Sequence, residues 1–220
     1  MLGHVTDLLH AWRDALPTSA SVSAASKAGD ELLSRWSEPH RHYHTVEHLD
    51  AVLSVIASHS DRAVDPDVVK LAAWFHDAVY DPLRVDNEEA SALLAEAVLP
   101  RLSVPPERVA EVARLVRVTA GHDPLPGDRN GGLLVDADLA ILAAAPETYR
   151  AYTIAIRREY AHLDDAQFAT GRAGVLNNLL SLPRLFHTPV LRERWEDLAR
   201  YNITAELTGI RADLGRTGVT

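Results

Sequence analysis

The chain has 220 residues, 47% of them hydrophobic and 24% charged, a balance that suits one soluble globular domain and excludes a disordered or fibrous chain. It contains no cysteine, which rules out disulfides, thiolate zinc sites, iron–sulfur clusters and a cysteine nucleophile, and a cytoplasmic address is expected. With 22 basic against 31 acidic residues the net charge is −9; this argues against duplex nucleic acid as a partner and leaves room for a small phosphate ester if arginines or a metal ion reverse the field locally.

Apolar residues recur at helical spacing along nearly the whole chain, and the two-residue alternation of strands is hard to find, so the expectation is an all-α bundle of about eight to ten helices. Helices are expected near residues 4–16, 21–36, 45–59, 66–80, 86–99, 105–120, 137–145, 146–162, 165–181 and 189–213, in a single domain spanning 1–220. Pro105, Pro106 and Glu107 mark the clearest start, with rigid φ and an acid in the first turn. Residues 121–132, rich in Gly, Pro, Asp and Asn, read as the longest loop. No apolar run approaches the roughly 20 residues of a membrane span, and Met1-Leu2-Gly3-His4 lacks the basic flank of a signal peptide, so no membrane association is expected. Asn202-Ile203-Thr204 matches a glycosylation sequon and is read as chance.

The chemistry is concentrated at three places. His40, His42, His44 and His48 fall within nine consecutive positions. On a helix that begins early enough, Arg41, His44 and His48 share one face; the plainer reading is a solvated helix start. Next comes His76-Asp77, set between Phe75 and Val79 in an apolar helix where a carboxylate is costly to desolvate unless a cation or a charged partner compensates it. A second pair, His122-Asp123, lies at a helix end where turn formation explains it. Last are Asp136 and Asp138, framed by aliphatics. Asp136 is best explained as the cap of the helix that follows, while Asp138, in register with Ile141 and Leu142, should face the core. Together His48, His76, Asp77 and Asp138 offer two imidazoles and two carboxylates from three helices. That set suits one divalent ion (Mn, Fe, Co, Ni or Mg) with coordination positions left for water, which points to catalysis.

The ordered pattern His48, His76-Asp77, Asp138 resembles the HD superfamily of metal-dependent phosphohydrolases, which are all-helical. The likeness extends to Arg41-His-Tyr-His44, Phe75-His-Asp77-Ala-Val-Tyr-Asp81, Asn87-Glu-Glu-Ala-Ser91, Asp136-Ala-Asp-Leu-Ala-Ile-Leu142 and Ile156-Arg-Arg-Glu-Tyr160, which resemble one subgroup of predicted HD phosphohydrolases. Gly171-Arg172 and Ala199-Arg-Tyr-Asn202 carry it across roughly residues 40–208. The resemblance implies His48, His76, Asp77 and Asp138 as metal ligands, with Asp136 behind them or as an alternative fourth ligand. From position and chemistry, Arg41 is the expected grip on phosphate, with Arg84 and Arg172 behind it. Asp81 and Glu88 could act as general acid or base, or be solvated acids at a helix start. His44 is expected to hydrogen-bond the substrate or a ligand, and His122 to support any second metal.

Where HD enzymes that hydrolyse the alarmone guanosine tetraphosphate resemble one another in a Glu-Asp pair, this chain has Tyr80-Asp81, so that substrate is not implied. Dinuclear HD proteins need further histidines before the last aspartate, and only His122 is offered there, so one metal is expected. The function expected is hydrolysis of a small phosphate ester, nucleotides included, by metal-activated water. The alternatives are a metal-stabilised binding module that fixes helices 45–59 and 66–80 without turnover, and a di-iron oxygenase. Helices 4–16 and 189–213 would cover the site or build a homodimer.

Overall fold

The computed structural model describes residues 2–217, and the side chains of residues 6–213; residues 1 and 218–220 of the expected domain lie outside the described residues. All regular structure among the described residues is helical: α1 (Leu2–Ala15), α2 (Val22–Trp36), α3 (Val46–Ser58), α4 (Pro66–Phe75), α5 (Asn87–Val98), α6 (Pro106–Val118), α7 (Arg129–Asp138), α8 (Pro146–Glu159), α9 (Asp165–Ser181) and α10 (Pro189–Thr217). Short 3-10 turns follow α3, α5 and α7. The all-α class is as expected, and eight of the ten helices fall within a few residues of their expected positions. The chain divides into two compact units, one reaching to Ala137 and one beginning at Asp138.

In the first unit α4 is the buried element. Asp65 caps it by accepting from the Val68 amide at 3.2 Å, and Pro66 takes the first position, where no N–H is needed. Val68, Val69 and every residue from Leu71 to Phe75 are buried, so the helix has no broad polar face and belongs inside. Its aromatic end is gripped on two sides. The Trp12 ring lies 5.4 Å from that of Trp74 and 6.1 Å from that of Phe75, and the Trp36 indole N–H donates to the Trp74 carbonyl at 3.1 Å. Gly29 lets α2 approach α1 this closely: a Cβ there would stand 2.9 Å from Leu9 Cδ2 and from Trp12 Cδ1. Whatever follows Phe75 is thereby delivered into the interior.

Two elements differ from expectation. The helix expected over 66–80 stops at Phe75, and residues 76–79 form a turn. The helix expected over 137–145 instead spans residues 129–138, with a 3-10 turn over Leu139–Ala143. Asp128 starts α7 in the middle of the expected loop: its carboxylate accepts from the Gly131 amide at 2.9 Å and its carbonyl from Gly132 at 2.8 Å. Arg114 clamps that same carboxylate at 2.8 and 3.1 Å. Residue 131 is glycine because a Cβ would overlap the Asp128 carboxylate. Asp136 therefore sits in the last turn of a helix and is fully buried, which corrects its expected role as an N-cap.

The second unit packs the 139–143 turn, α8, α9 and α10. Asp164 and Gln167 close a reciprocal capping box at the start of α9. Asn202, 5% exposed, donates its amide to the Leu142 and Ala144 carbonyls at 2.9 and 3.0 Å, which gives this sequon asparagine a structural job.

Candidate metal centre

The site is assembled by α3, the end of α4 and the end of α7. His48 is the third residue of α3, His76 follows the last residue of α4, and Asp138 is the last residue of α7, carried by that helix one position beyond Ala137. One ligand atom from each of His48, His76 and Asp138 falls within 4.8 Å of the others. Both imidazoles are buried and Asp138 is half-buried.

Hydrogen bonding fixes the chemistry of His76. Its Nδ1 lies 2.8 Å from the Ala73 carbonyl, an oxygen that can only accept, so Nδ1 carries a proton and Nε2 is the nitrogen left to face a cation. That Nε2 stands 3.3 Å from His48 Nε2 and 3.2 Å from Asp77 Oδ2. Ligands about 2.1 Å from one ion at roughly right or tetrahedral angles are about 3.0–3.4 Å apart, so the separation of the two imidazole nitrogens fits a shared divalent cation. An imidazole whose far nitrogen is tied to a backbone carbonyl is also the usual arrangement behind a metal-ligating histidine. The rings are walled by aromatics: Trp36 lies 5.3 Å from His76 and 6.2 Å from His48, and Tyr43 lies 4.8 Å from His48. Such a wall keeps the local dielectric low and strengthens every charge interaction inside it.

Asp77 stands at the turn, its side chain 14% exposed, touching His76 and lying 4.0 Å from His44 Nε2. It borders the three-residue group without belonging to it, and Asp136 is not a member either. α3 begins only at Val46, after Thr45, so Arg41 and His44 come from the preceding turn and not from the face of α3, as an earlier helix start would have had it. His44 nevertheless reaches the site, 5.8 Å from the His48 ring and 4.2 Å from the Tyr80 ring.

The other expected residues are placed as follows. Arg41 is buried and its guanidinium is bonded to Glu38 and to the carbonyls of His44 and Asp77. Arg172 is likewise engaged, forked onto Glu206 and bonded to the Tyr152 hydroxyl within the second unit. Arg84 is exposed and paired with Asp86 at 2.9–3.0 Å. The Asp81 carboxylate accepts from the Leu83 amide and so builds the 81–86 loop. Glu88 lies half-buried in the first turn of α5. His122, with φ of 52°, ends α6 by donating its amide to the Val118 carbonyl, a terminator's role, and is not in the ligand group.

Four contributors went unread in the sequence: Trp36, Glu38, Asn87 and Ser91. Asn87 brackets Asp81, accepting from its amide and donating to its carbonyl at 3.0 Å each, and Ser91 bonds Val79. Their signal was the Asn87-to-Ser91 segment, where only Glu88 received a role.

No family model matches the chain, and no curated protein or solved structure matches it either. No described helix is long and apolar enough to cross a membrane.

Proposed function

We propose that this chain is a metal-dependent phosphohydrolase of the HD type, acting on a small phosphate ester such as a nucleotide, with one divalent ion held by His48, His76 and Asp138 and Asp77 beside them. The observation that carries the reading is the anchored ring of His76, whose Nδ1 is tied to the Ala73 carbonyl and whose Nε2 stands 3.3 Å from His48 Nε2 in a buried, aromatic-walled site. When bound, such an ion would supply acidified water and a polarised phosphoryl oxygen.

The chain's own groups divide the remaining work. Asp77, next to His76 and 4.0 Å from His44, orients the imidazoles and can accept a proton from water. His44, one-fifth exposed on its side chain, can donate to the leaving oxygen; Glu88 is the second candidate for that proton. For the phosphate, Arg84 is the better of the three arginines. Its pair with Asp86 is exposed and worth only about 0–1 kcal/mol, so the guanidinium can be given up to a substrate.

The test uses the purified full chain with Mn²⁺, Co²⁺ or Ni²⁺ and a panel of nucleotides and simple phosphate monoesters. Phosphate release with about one ion bound per chain is expected, together with its loss in His76→Ala and Asp138→Ala. The ion should also raise the melting temperature of the wild type, since saturation at 100 Kd stabilises by about 2.7 kcal/mol. Turnover that survives either substitution sinks the assignment. One bound ion with no turnover would favour the binding module, and two bound irons the oxygenase.

A further inference from the structure

We infer that Arg41 is a positioning residue, a buried bracket that sets the turns on which Asp77 and His44 stand. This rests on the proposed metal centre.

A guanidinium has five N–H donors, and at Arg41 four are taken. Nε and Nη2 donate to Glu38 Oε2 at 3.1 and 3.0 Å, and Nη1 donates to the His44 carbonyl at 3.1 Å and to the Asp77 carbonyl at 2.8 Å. The side chain is 0% exposed. Its guanidinium carbon lies 5.4 Å from the centre of the Trp36 ring and 5.3 Å from that of the Tyr80 ring, within reach of cation–π attraction to both. One N–H remains, too few for a bidentate phosphate grip.

The two carbonyls explain why this residue matters to the site. The chain leaves helical geometry after Phe75, and the Asp77 carbonyl points to Arg41 instead of continuing the α4 ladder. The direction in which Asp77 leaves its backbone, and thus its 3.2 Å approach to His76 Nε2, is set by that bond. The His44 carbonyl, held by the same nitrogen, ties the turn before α3 to the turn after α4. Glu38 neutralises the buried charge and fixes the rotation of the fork. Lysine cannot replace this bracket, because a single ammonium cannot span a carboxylate and two carbonyls in a plane.

Arg41→Lys and Glu38→Gln, each in the full chain and checked for helicity, are compared with the wild type by calorimetric titration with Co²⁺ and by amide hydrogen exchange. Arg41→Lys should bind Co²⁺ about 10–100-fold more weakly, as loss of a group supporting a ligand does, and Glu38→Gln more weakly by a smaller factor. Exchange at Ala78 and Val79 should quicken, while kcat falls with KM little changed. Co²⁺ affinity within twofold of wild type in Arg41→Lys overturns the inference, as does a raised KM with unchanged kcat. If the wild type takes up no Co²⁺, Mn²⁺ or Ni²⁺, the proposed function fails on its own, and exchange then decides for Arg41: unchanged protection at Ala78 and Val79 overturns it, faster exchange sustains it.

Discussion

Ser91 Oγ meets Val79 twice, accepting from its amide at 3.0 Å and donating to its carbonyl at 3.2 Å. One fully buried hydroxyl on α5 thus satisfies both polar groups of a residue that has left helical geometry. With Asn87 bracketing Asp81 two residues further on, α5 holds the far side of the turn that Arg41 holds from the near side.

Ser91→Ala should therefore act on the turn. The Val79 amide and carbonyl lose their partner, which costs about 1–3 kcal/mol when the groups stay buried. Because the turn also carries Asp77, metal affinity should fall by several-fold beyond what the lower stability explains, and Ser91→Thr should restore part of it. Urea unfolding and metal titration on the same samples would check this. A stability loss with unchanged metal affinity would show that the turn is stiff without Ser91.

Much of the fold was legible because helical spacing of apolar residues and helix-start signals are local. Pro66, Pro106, Pro146 and Pro189 each open a helix at or beside its expected position. The two misplaced boundaries are those decided by long-range bonds. Nothing in Trp74-Phe75-His76-Asp77-Ala78 signals a stop, and the helix ends there because Arg41 and Ser91, distant in sequence, take the polar groups that would continue it. Arg129-Asn130-Gly131-Gly132 reads as loop, yet Asn130 bridges the Val64 and Asp65 amides to Glu111 and turns the segment into a buried helix start. His48, His76 and Asp138 were found as chemistry without surroundings. The partners of Arg41 are not legible either, because a buried arginine and a substrate-gripping arginine look the same in sequence.

The same long-range logic gives an acid-sensitive clamp around the start of α4. Burial works against the charged form of Asp65, but the Arg108 fork, at 2.9 and 2.6 Å, and the Val68 amide outweigh it and hold the carboxyl below its ordinary 3.8. Arg114 and Asn130 likewise hold Glu111 below 4.5. A folded value lower than the unfolded one contributes stability that is complete above the unfolded value and is lost as pH falls through the folded one. Asp65→Asn keeps the helix cap and removes the charge, so it should cost about 1 kcal/mol or less at neutral pH, the pair being one-third exposed. Measured by urea unfolding, that difference should be flat from about pH 7 to pH 5 and close below the ordinary 3.8 of the unfolded side chain. A gap that widens toward acid would contradict the assignment.

In the second unit Arg172 and Glu206 form the best-shielded ion pair, with side chains 7% and 13% exposed and contacts of 2.7 and 3.1 Å. The Tyr149 hydroxyl donates to the same carboxylate at 2.6 Å; burial, then the negative charge of Glu206, push that hydroxyl well above the usual phenol range, so it stays a donor at every working pH. Tyr152 completes the network, its hydroxyl accepting from Arg172 at 3.0 Å and its ring lying 5.1 Å from the guanidinium carbon. Three helices, α8, α9 and α10, are pinned through one carboxylate. Arg172→Met leaves that carboxylate buried with only the tyrosine, and Glu206→Leu leaves a buried guanidinium with only Tyr152; either should cost about 3–5 kcal/mol. The double substitution removes both charges and should cost no more than either single one, giving a coupling of at least about 3 kcal/mol in a double-mutant cycle read by urea unfolding. Single losses under about 1 kcal/mol would mean that water reaches the pair, and additive losses that each residue acts through packing alone.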